Sequence, residues 1–258
     1  PAGLVVHPAT VNSGSQRSKV KGQSYSVVDW LLERYPDIAA LPWPDPARPG
    51  IVHRLDTDTS GVLLLAKDPE TLVALQQQFH DRTVEKTYYG LVFGEAPETT
   101  TLTGSISRKS RGVEQQVRRL SFSWEKRPSK PAETEIRTIE RFRGHLGGEW
   151  LVSSEVKEKA DDSSLTALTL VQLNPKTGRT HQLRVQLLDA GLPMIGDQQY
   201  NTKASREASD RLGLQRQFLH AIKLTFNDPM SGEIISVKSS LSADLQSVLD
   251  MLSRSLSV

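Results

Sequence analysis

The sequence contains no cysteine. That absence removes disulfides, thiolate metal sites and cysteine nucleophiles together. There is no apolar run approaching the roughly 20 residues that span a bilayer, and no basic-then-apolar start of a secretory signal. No GxGxxG, phosphate-loop or HExxH pattern occurs, and no repeat of about 20 to 50 residues is visible. The net charge is only +2, too small to announce a polyanionic partner by itself. What remains is a 258-residue chain, 37% hydrophobic and 24% charged, able to bury a core as one elaborate domain or two fused halves. The expected setting is the cytoplasm. Because the chain starts at Pro1 on a strand-like Leu4–Val6, the natural protein is expected to begin upstream.

Charge is uneven even though its sum is small. Between Ser105 and Pro131 stand Arg108, Lys109, Arg111, Arg118, Arg119, Lys126, Arg127 and Lys130 against only Glu114 and Glu125. Such an excess can neutralise several phosphates, or it can be a solvated basic loop.

Along the chain, residues 2–8 read as a short strand and residues 9–24 as a mobile polar loop. Val27, Val28, Leu31, Leu32 and Tyr35 fall at helical spacing, and Pro36 stops that helix. Prolines 42, 44, 46 and 49 then exclude regular structure. Val62–Ala66 is an apolar run of strand length, and Asp68-Pro69 caps a helix carrying Leu72, Leu75 and Phe79 on one face. Lys86–Phe93 is strand-like, with Tyr88 and Tyr89 on opposite faces. Further strands are expected at 134–142 and 165–173, with a peripheral excursion at 144–164. A short helix follows at 180–190, then a hairpin from 218–226 to 233–237 and a final helix at 243–252. Many antiparallel-looking strands with few helices predict an α+β fold, not a doubly wound parallel sheet.

The chemistry gathers on Ile51–Lys67, IVHRLDTDTSGVLLLAK. Asp56 has three readings. It can be a turn former that bonds its own backbone. It can belong to a metal site, since Asp56, Asp58, Ser60 and Gly61 match the first positions of a calcium loop; the closing bidentate glutamate, however, is replaced by Lys67. A magnesium-dependent aspartyl phosphotransferase would also use paired acids, but needs further acids downstream. Or Asp56 can be a lone reactive carboxylate held by a buried cation.

The helix at 180–190 supports the third reading. At about 100° per residue, Arg184 falls about 100° from Leu183, between Leu187 at about 40° and Leu188 at about 140°. An arginine inside an apolar stripe either snorkels or meets a carboxylate, because an unpaired buried charge costs about 3 to 5 kcal/mol. Asp56 is the expected partner, held bidentately.

Six stretches in order, PAGLVVHP, RPGIVHRLDTDTSGVLLLAK, KTYYGLVFG, NPKTGRTHQLRVQL, IGDQQY and FLHAIKLTFNDPMSGE, resemble the landmarks of the RluA/RluD-type pseudouridine synthases over essentially the whole chain. The resemblance implies one catalytic domain over 1–258, with an S4-like RNA-binding domain upstream of this chain as an open question. It implies a mixed, mainly antiparallel central sheet flanked by helices, with the active cleft across it. It implies isomerisation of uridine to pseudouridine in structured RNA, in ribosomal or transfer RNA, by a monomer with no metal, no organic cofactor and no membrane partner. The catalytic role then falls on Asp56 and its salt bridge on Arg184. Tyr88 becomes the residue that stacks on the base and a candidate for proton handling at C5, leaving Tyr89 to the core. Arg54 resembles an arginine that enters the space left by an extruded nucleotide. Arg179 is expected on phosphate, and Arg108, Lys109, Arg111, Arg118 and Arg119 on RNA. His53 and His181 are expected to be structural or RNA-contacting. Thr57 and Gln186 depart from the pattern at positions where RNA contacts were expected. A catalytically silent RNA-binding protein of the same fold is the rival reading.

Overall fold

The structure, a computed structural model, describes residues 1–7, 25–108, 115–118, 129–145, 150–152 and 165–253. The expected loop at 9–24 and the candidates Lys109, Arg111 and Arg119 lie outside the described residues, as does most of the 144–164 excursion.

The elements run α1 (Val27–Arg34), a 3-10 turn at Pro36–Ala40, β1 (Ser60–Gly61), α2 (Pro69–Asp81), β2 (Glu85–Phe93), β3 (Thr99–Arg108), β4 (Gln115–Arg118), β5 (Lys130–Gly144), β6 (Trp150–Val152), β7 (Thr166–Pro175), α3 (Gln182–Asp189), α4 (Lys203–Arg211), β8 (Leu219–Asn227), β9 (Ile234–Lys238) and α5 (Ala243–Ser253). The strands form one sheet in the order β1-β8-β2-β7-β5-β3-β4, with β6 on β5 and β9 on β8. Every ladder is antiparallel except β1–β8. This is the α+β class expected from the sequence.

Alternation along the central strands sorts residues to two cores. Tyr89, Leu91, Leu168 and Leu170 face one side, where α4 and α5 cover them with Ala208, Leu212, Leu245, Val248 and Leu252. Tyr88, Val92, Val171 and Leu173 face the other, against Leu183 and Leu187 of α3. On β5, Ile136 and Phe142 are six residues apart and should share a face, yet they belong to opposite cores. The register shift between Thr138 and Glu140 inserts a bulge that reverses the alternation. Full burial of a side chain such as Phe142 or Phe218 is worth about 1.5 to 3 kcal/mol.

Helix starts follow local chemistry. Ser26 and Asp29 form a reciprocal capping box on α1, and the Asp68 side chain accepts the Thr71 amide ahead of Pro69 on α2.

Three expectations need correction. Of the strand expected at 2–8, the described residues 2–7 form none; Val5 bridges Ser26, and the carbonyls of Val5 and Val6 accept the amides of Val27 and Val28 in the first turn of α1. Val62–Ala66 is an extended link, since only Ser60–Gly61 joins the sheet. The Val62 amide still reaches the Ala221 carbonyl of β8 at 2.9 Å, after which Leu65 makes an isolated antiparallel bridge with Ile51 and the Ala66 amide donates to the Gly50 carbonyl at 2.9 Å. The helix after the NPKTG turn begins at Gln182 instead of Thr180, because His181 takes a left-handed φ of 53°.

Candidate active site

A cleft of ≈ 520 Å³ opens where the Asp56 loop, the C-terminal end of α2, Tyr88 of β2, the Pro175–Thr180 turn and the start of α3 converge. Each wall has a local cause. The Asp56 turn closes when the Thr59 amide donates to the Asp56 carbonyl at 2.9 Å. Tyr88 sits next to a register shift between Thr87 and Tyr88, in a strand flanked by β7 and β8. The 175–180 turn is locked to α3 by buried Gln182, whose Oε1 accepts from Thr177 Oγ1 at 2.7 Å and from Arg179 N–H at 3.0 Å.

Arg184 is 7% exposed, as its place in the apolar stripe demanded. Its Nη1 donates to Asp56 Oδ2 at 3.2 Å. The fork itself, however, grips Asp197, with Nε to Oδ2 at 2.6 Å and Nη2 to Oδ1 at 2.9 Å. The expected bidentate Asp56–Arg184 pair is therefore corrected to a shared guanidinium. A planar fork matches one carboxylate in full, and Asp197 occupies it. Asp197 Oδ1 also accepts the amides of Gln199 and Tyr200 at 2.9 and 2.8 Å, so this carboxylate is fixed by the turn it belongs to. The Tyr200 ring lies 5.0 Å from the guanidinium carbon. Asp197 was missed in the sequence because an Asp after Gly in IGDQQY looks like an ordinary turn former. The signal was there: a buried arginine needs compensation even when its other carboxylate must stay reactive.

Burial disfavours the Arg184 charge, but the hydrogen bonds and charges of Asp197 and then Asp56 more than offset it, raising its pKa above the usual arginine value. Two carboxylates around one guanidinium leave one negative charge over. Asp56, 18% exposed at its side chain, presents its carboxylate at the wall of the cleft.

Tyr88 lines the cleft, and Tyr89 packs into the core, as expected. Burial and then the nearby Asp56 charge push the Tyr88 phenol well above its ordinary pKa. It is a protonated phenol at neutral pH and no standing base.

His181 lies 4.0 Å from Asp56 Oδ1 through Nε2, and its Nδ1 is hydrogen-bonded to the Tyr200 hydroxyl at 3.0 Å. Burial lowers its pKa, against the opposing pull of Asp56. His53 is held at about 3 by burial and by Lys86; its Nε2 accepts the Leu64 amide at 3.0 Å and its ring stacks on Phe79. These contacts brace the Asp56 loop, and the ring also lines the cleft. Gln186 is buried, accepting from Thr134 and donating to the Leu102 carbonyl, so the RNA contact considered for that position is replaced by a core role.

The rim is basic. Arg54, Arg82, Lys86, Lys176 and Arg179 line the cleft, whereas Asp56 is its one acid among the described residues. Arg179 is braced by donating from Nε to the Pro131 carbonyl at 3.0 Å. Lys86 is pulled below its ordinary pKa by burial and then by Arg82 and Arg179, a crowd of cations that an incoming anion would relieve. The backbones of Arg108 and Arg118 lie on the paired strands β3 and β4.

Comparison with known proteins bears on this geometry. The model of a family described as RNA pseudouridylate synthase matches residues 1–189. An uncharacterized RNA pseudouridine synthase of Chloroflexus aurantiacus is 36% identical over 252 residues, covering 98% of this chain and 65% of that protein. Ribosomal large subunit pseudouridine synthase D of Xanthomonas campestris pv. campestris is 33% identical over 259 residues, with the same two coverages of 98% and 65%. The chain thus spans 65% of the length of each of these relatives. The solved structure of human RNA Pseudouridylate Synthase Domain Containing 1 superposes with a TM-score of 0.60 at 26% identity, covering 83% of this chain and 74% of that one. Human RNA Pseudouridylate Synthase Domain Containing 4 shares the fold, with a TM-score of 0.66 at 22% identity over 98% of this chain and 87% of that one.

Proposed function

This chain belongs to the RNA pseudouridylate synthase family, and from that premise we propose that it isomerises specific uridines of structured RNA, with large-subunit ribosomal RNA as the substrate class. The reading has the protein act as a cytoplasmic monomer on RNA alone. The observation that carries it is the placing of Asp56 on a buried guanidinium already neutralised by Asp197, inside a cleft whose rim is otherwise cationic.

The rim cations Arg54, Lys86 and Arg179 bind the phosphodiester backbone beside the target. A uridine must leave its stack before the glycosidic bond can be reached, and Arg54, exposed at the mouth, fills the space it leaves. The extruded base packs on the Tyr88 ring. Asp56 then acts on the ribose, as nucleophile at C1′ or as base on a sugar proton. The N1–C1′ bond breaks with its electron pair going to the uracil. The uracil turns within the closed site, the C5–C1′ bond forms, C5 loses its proton and N1 carries one. Atoms balance without any co-reactant. Confinement keeps the detached base from diffusing away before it recombines. Tyr88, its phenol pushed up by burial, offers the base a stacking ring, and its part at the C5 proton is what Tyr88→Phe measures.

The test is incubation of the purified protein with uridine-5-tritiated ribosomal RNA transcripts, following tritium release and mapping pseudouridine by chemical derivatisation. Site-specific conversion that vanishes in Asp56→Asn supports the reading. Conversion retained in that variant, or binding without conversion by the parent protein, sinks it.

A further inference from the structure

The loop that carries Asp56 is held from behind by residues that take no part in the chemistry above. Apart from Gly3, whose amide donates to the Thr57 carbonyl at 2.7 Å, they lie after residue 189, where the family match ends. Arg216 is the centre. Its Nη1 donates to the Asp58 carbonyl at 2.9 Å, and its Nη2 to Ser242 Oγ at 2.8 Å and Ser60 Oγ at 3.3 Å. Asp244, at the start of α5, takes the fork, with Nε to Oδ2 at 2.6 Å and Nη2 to Oδ1 at 3.0 Å. The next residue, Gln217, donates to Thr59 Oγ1 at 3.3 Å in a buried contact. Ser60 and Gly61 then pair with His220 and Ala221. Gly61 has a φ of +115°, and a Cβ there would stand 2.3 Å from the Ala221 carbonyl oxygen. Four consecutive residues, 58 to 61, are therefore seated on the short segment from 216 to 221.

Ser60 Oγ also meets His220 Nδ1 at 2.8 Å, a pairing that invites comparison with an activated nucleophile. Both residues are 2% exposed and neither lines the cleft, so no substrate reaches this hydroxyl. It is a hydrogen-bonding post in the same clamp.

We propose that the Arg216–Asp244 pair is the positioning device of the active loop, tying α5 to the turn that aims the Asp56 carboxylate. The Asp58 carbonyl and the Thr59 side chain lie two and three residues beyond Asp56, and the Thr59 amide closes the turn on the Asp56 carbonyl. Releasing those anchors frees the turn to rotate, which moves Asp56 off Arg184, where its one contact is already long at 3.2 Å. The hydrogen bond from Arg216 holds the Asp244 carboxyl down at about 2, so the pair stays ionised throughout the neutral range.

The kinetic consequence rests on the reading of Asp56 as the reacting carboxylate; the structural consequence does not. Arg216→Gln, Arg216→Lys and Asp244→Asn are compared with the parent protein by two measurements. The first is hydrogen–deuterium exchange at the Thr59 and Val62 amides. The second is single-turnover conversion at saturating RNA, with RNA affinity measured separately. Exchange at both amides is expected to accelerate at least about tenfold, and the single-turnover rate to fall about 10- to 100-fold, while RNA affinity stays within about twofold. Arg216→Lys keeps a charge but loses the fork, so it is expected to behave as Arg216→Gln. Asp244→Asn changes the exposed partner, and carries the test should Arg216→Gln not fold. Unchanged exchange at Thr59 and Val62, acceleration spread equally over α4 and α5, or a rate loss matched by lost RNA affinity overturns the proposal. If the parent protein converts no RNA at all, the functional reading fails, and the exchange data alone decide the clamp.

Discussion

Asp197 takes both prongs of the Arg184 guanidinium, at 2.6 and 2.9 Å, and leaves Asp56 a single contact at 3.2 Å. One carboxylate keeps the buried cation neutralised, and the other stays available to a ligand. This unequal sharing makes the two aspartates distinguishable by experiment.

Asp56→Asn is expected to abolish turnover while changing unfolding free energy by no more than about 1 kcal/mol, because Arg184 keeps its better partner. Asp197→Asn leaves a buried guanidinium with one distant carboxylate and is expected to cost about 3 to 5 kcal/mol, with activity lost as Arg184 relaxes. Urea denaturation of both variants beside tritium-release assays checks the pair; equal destabilisation by the two changes contradicts the assigned roles.

Tyr88→Phe is expected to retain most of the RNA affinity, since the stacking ring remains, whereas Tyr88→Ala should lose about 1 to 3 kcal/mol of binding. Turnover at saturating RNA in Tyr88→Phe measures what the hydroxyl adds. Equal affinity loss in both variants means that the hydroxyl, not the ring, holds the base.

Lys86→Gln and Arg179→Gln should weaken RNA binding and lower the slope of log affinity against log salt by about one each, with little change in the saturated rate. Titrations of fluorescent RNA across salt concentrations give the slopes. A slope identical to the parent's removes that side chain from the phosphate-binding set.

His53 predicts an acid-labile fold. Its folded pKa of about 3 lies below its ordinary 6.5, so the unfolded chain binds the extra proton between those values. The stability associated with neutral His53 is complete above about pH 6.5 and drains as pH falls toward 3, by at most about 1.4 kcal/mol per pH unit. His53→Gln, which can still accept the Leu64 amide, should show a shallower acid limb in denaturation melts between pH 7 and 4. An unchanged limb assigns the acid lability to other groups.

Much of this was legible in the primary structure wherever local chemistry suffices. Ser26, Asp68-Pro69 and the 219–238 hairpin announce their elements because caps and turns are satisfied within a few residues. α4 was not foreseen, because it buries only the small residues Ser205, Ala208 and Ser209 and presents no apolar stripe, although its Thr202–Ser205 capping box is visible in the sequence. β3 was hidden by its threonines, which pair along β5 instead of marking a loop. Val62–Ala66 has strand composition and strand length, but after the Val62 amide reaches the Ala221 carbonyl the segment leaves β8, and only Leu65 forms a bridge, to Ile51.

By itself the sequence determined that Arg184 stands on the apolar face of its helix, because helical periodicity places a residue on a face whatever the rest of the chain does. It also left two outcomes for that charge, snorkelling to the helix edge or meeting a carboxylate, because an isolated charge in a core is too costly to persist. Which carboxylate takes the fork was decided only in the tertiary structure, since Asp197 is supplied by a turn after α3 and Asp56 by a loop 128 residues before Arg184. The anchoring of that loop by Arg216 was likewise beyond sequence reasoning. Hydrogen bonds between residues 158 positions apart depend on where two segments come to lie, and no local propensity records that.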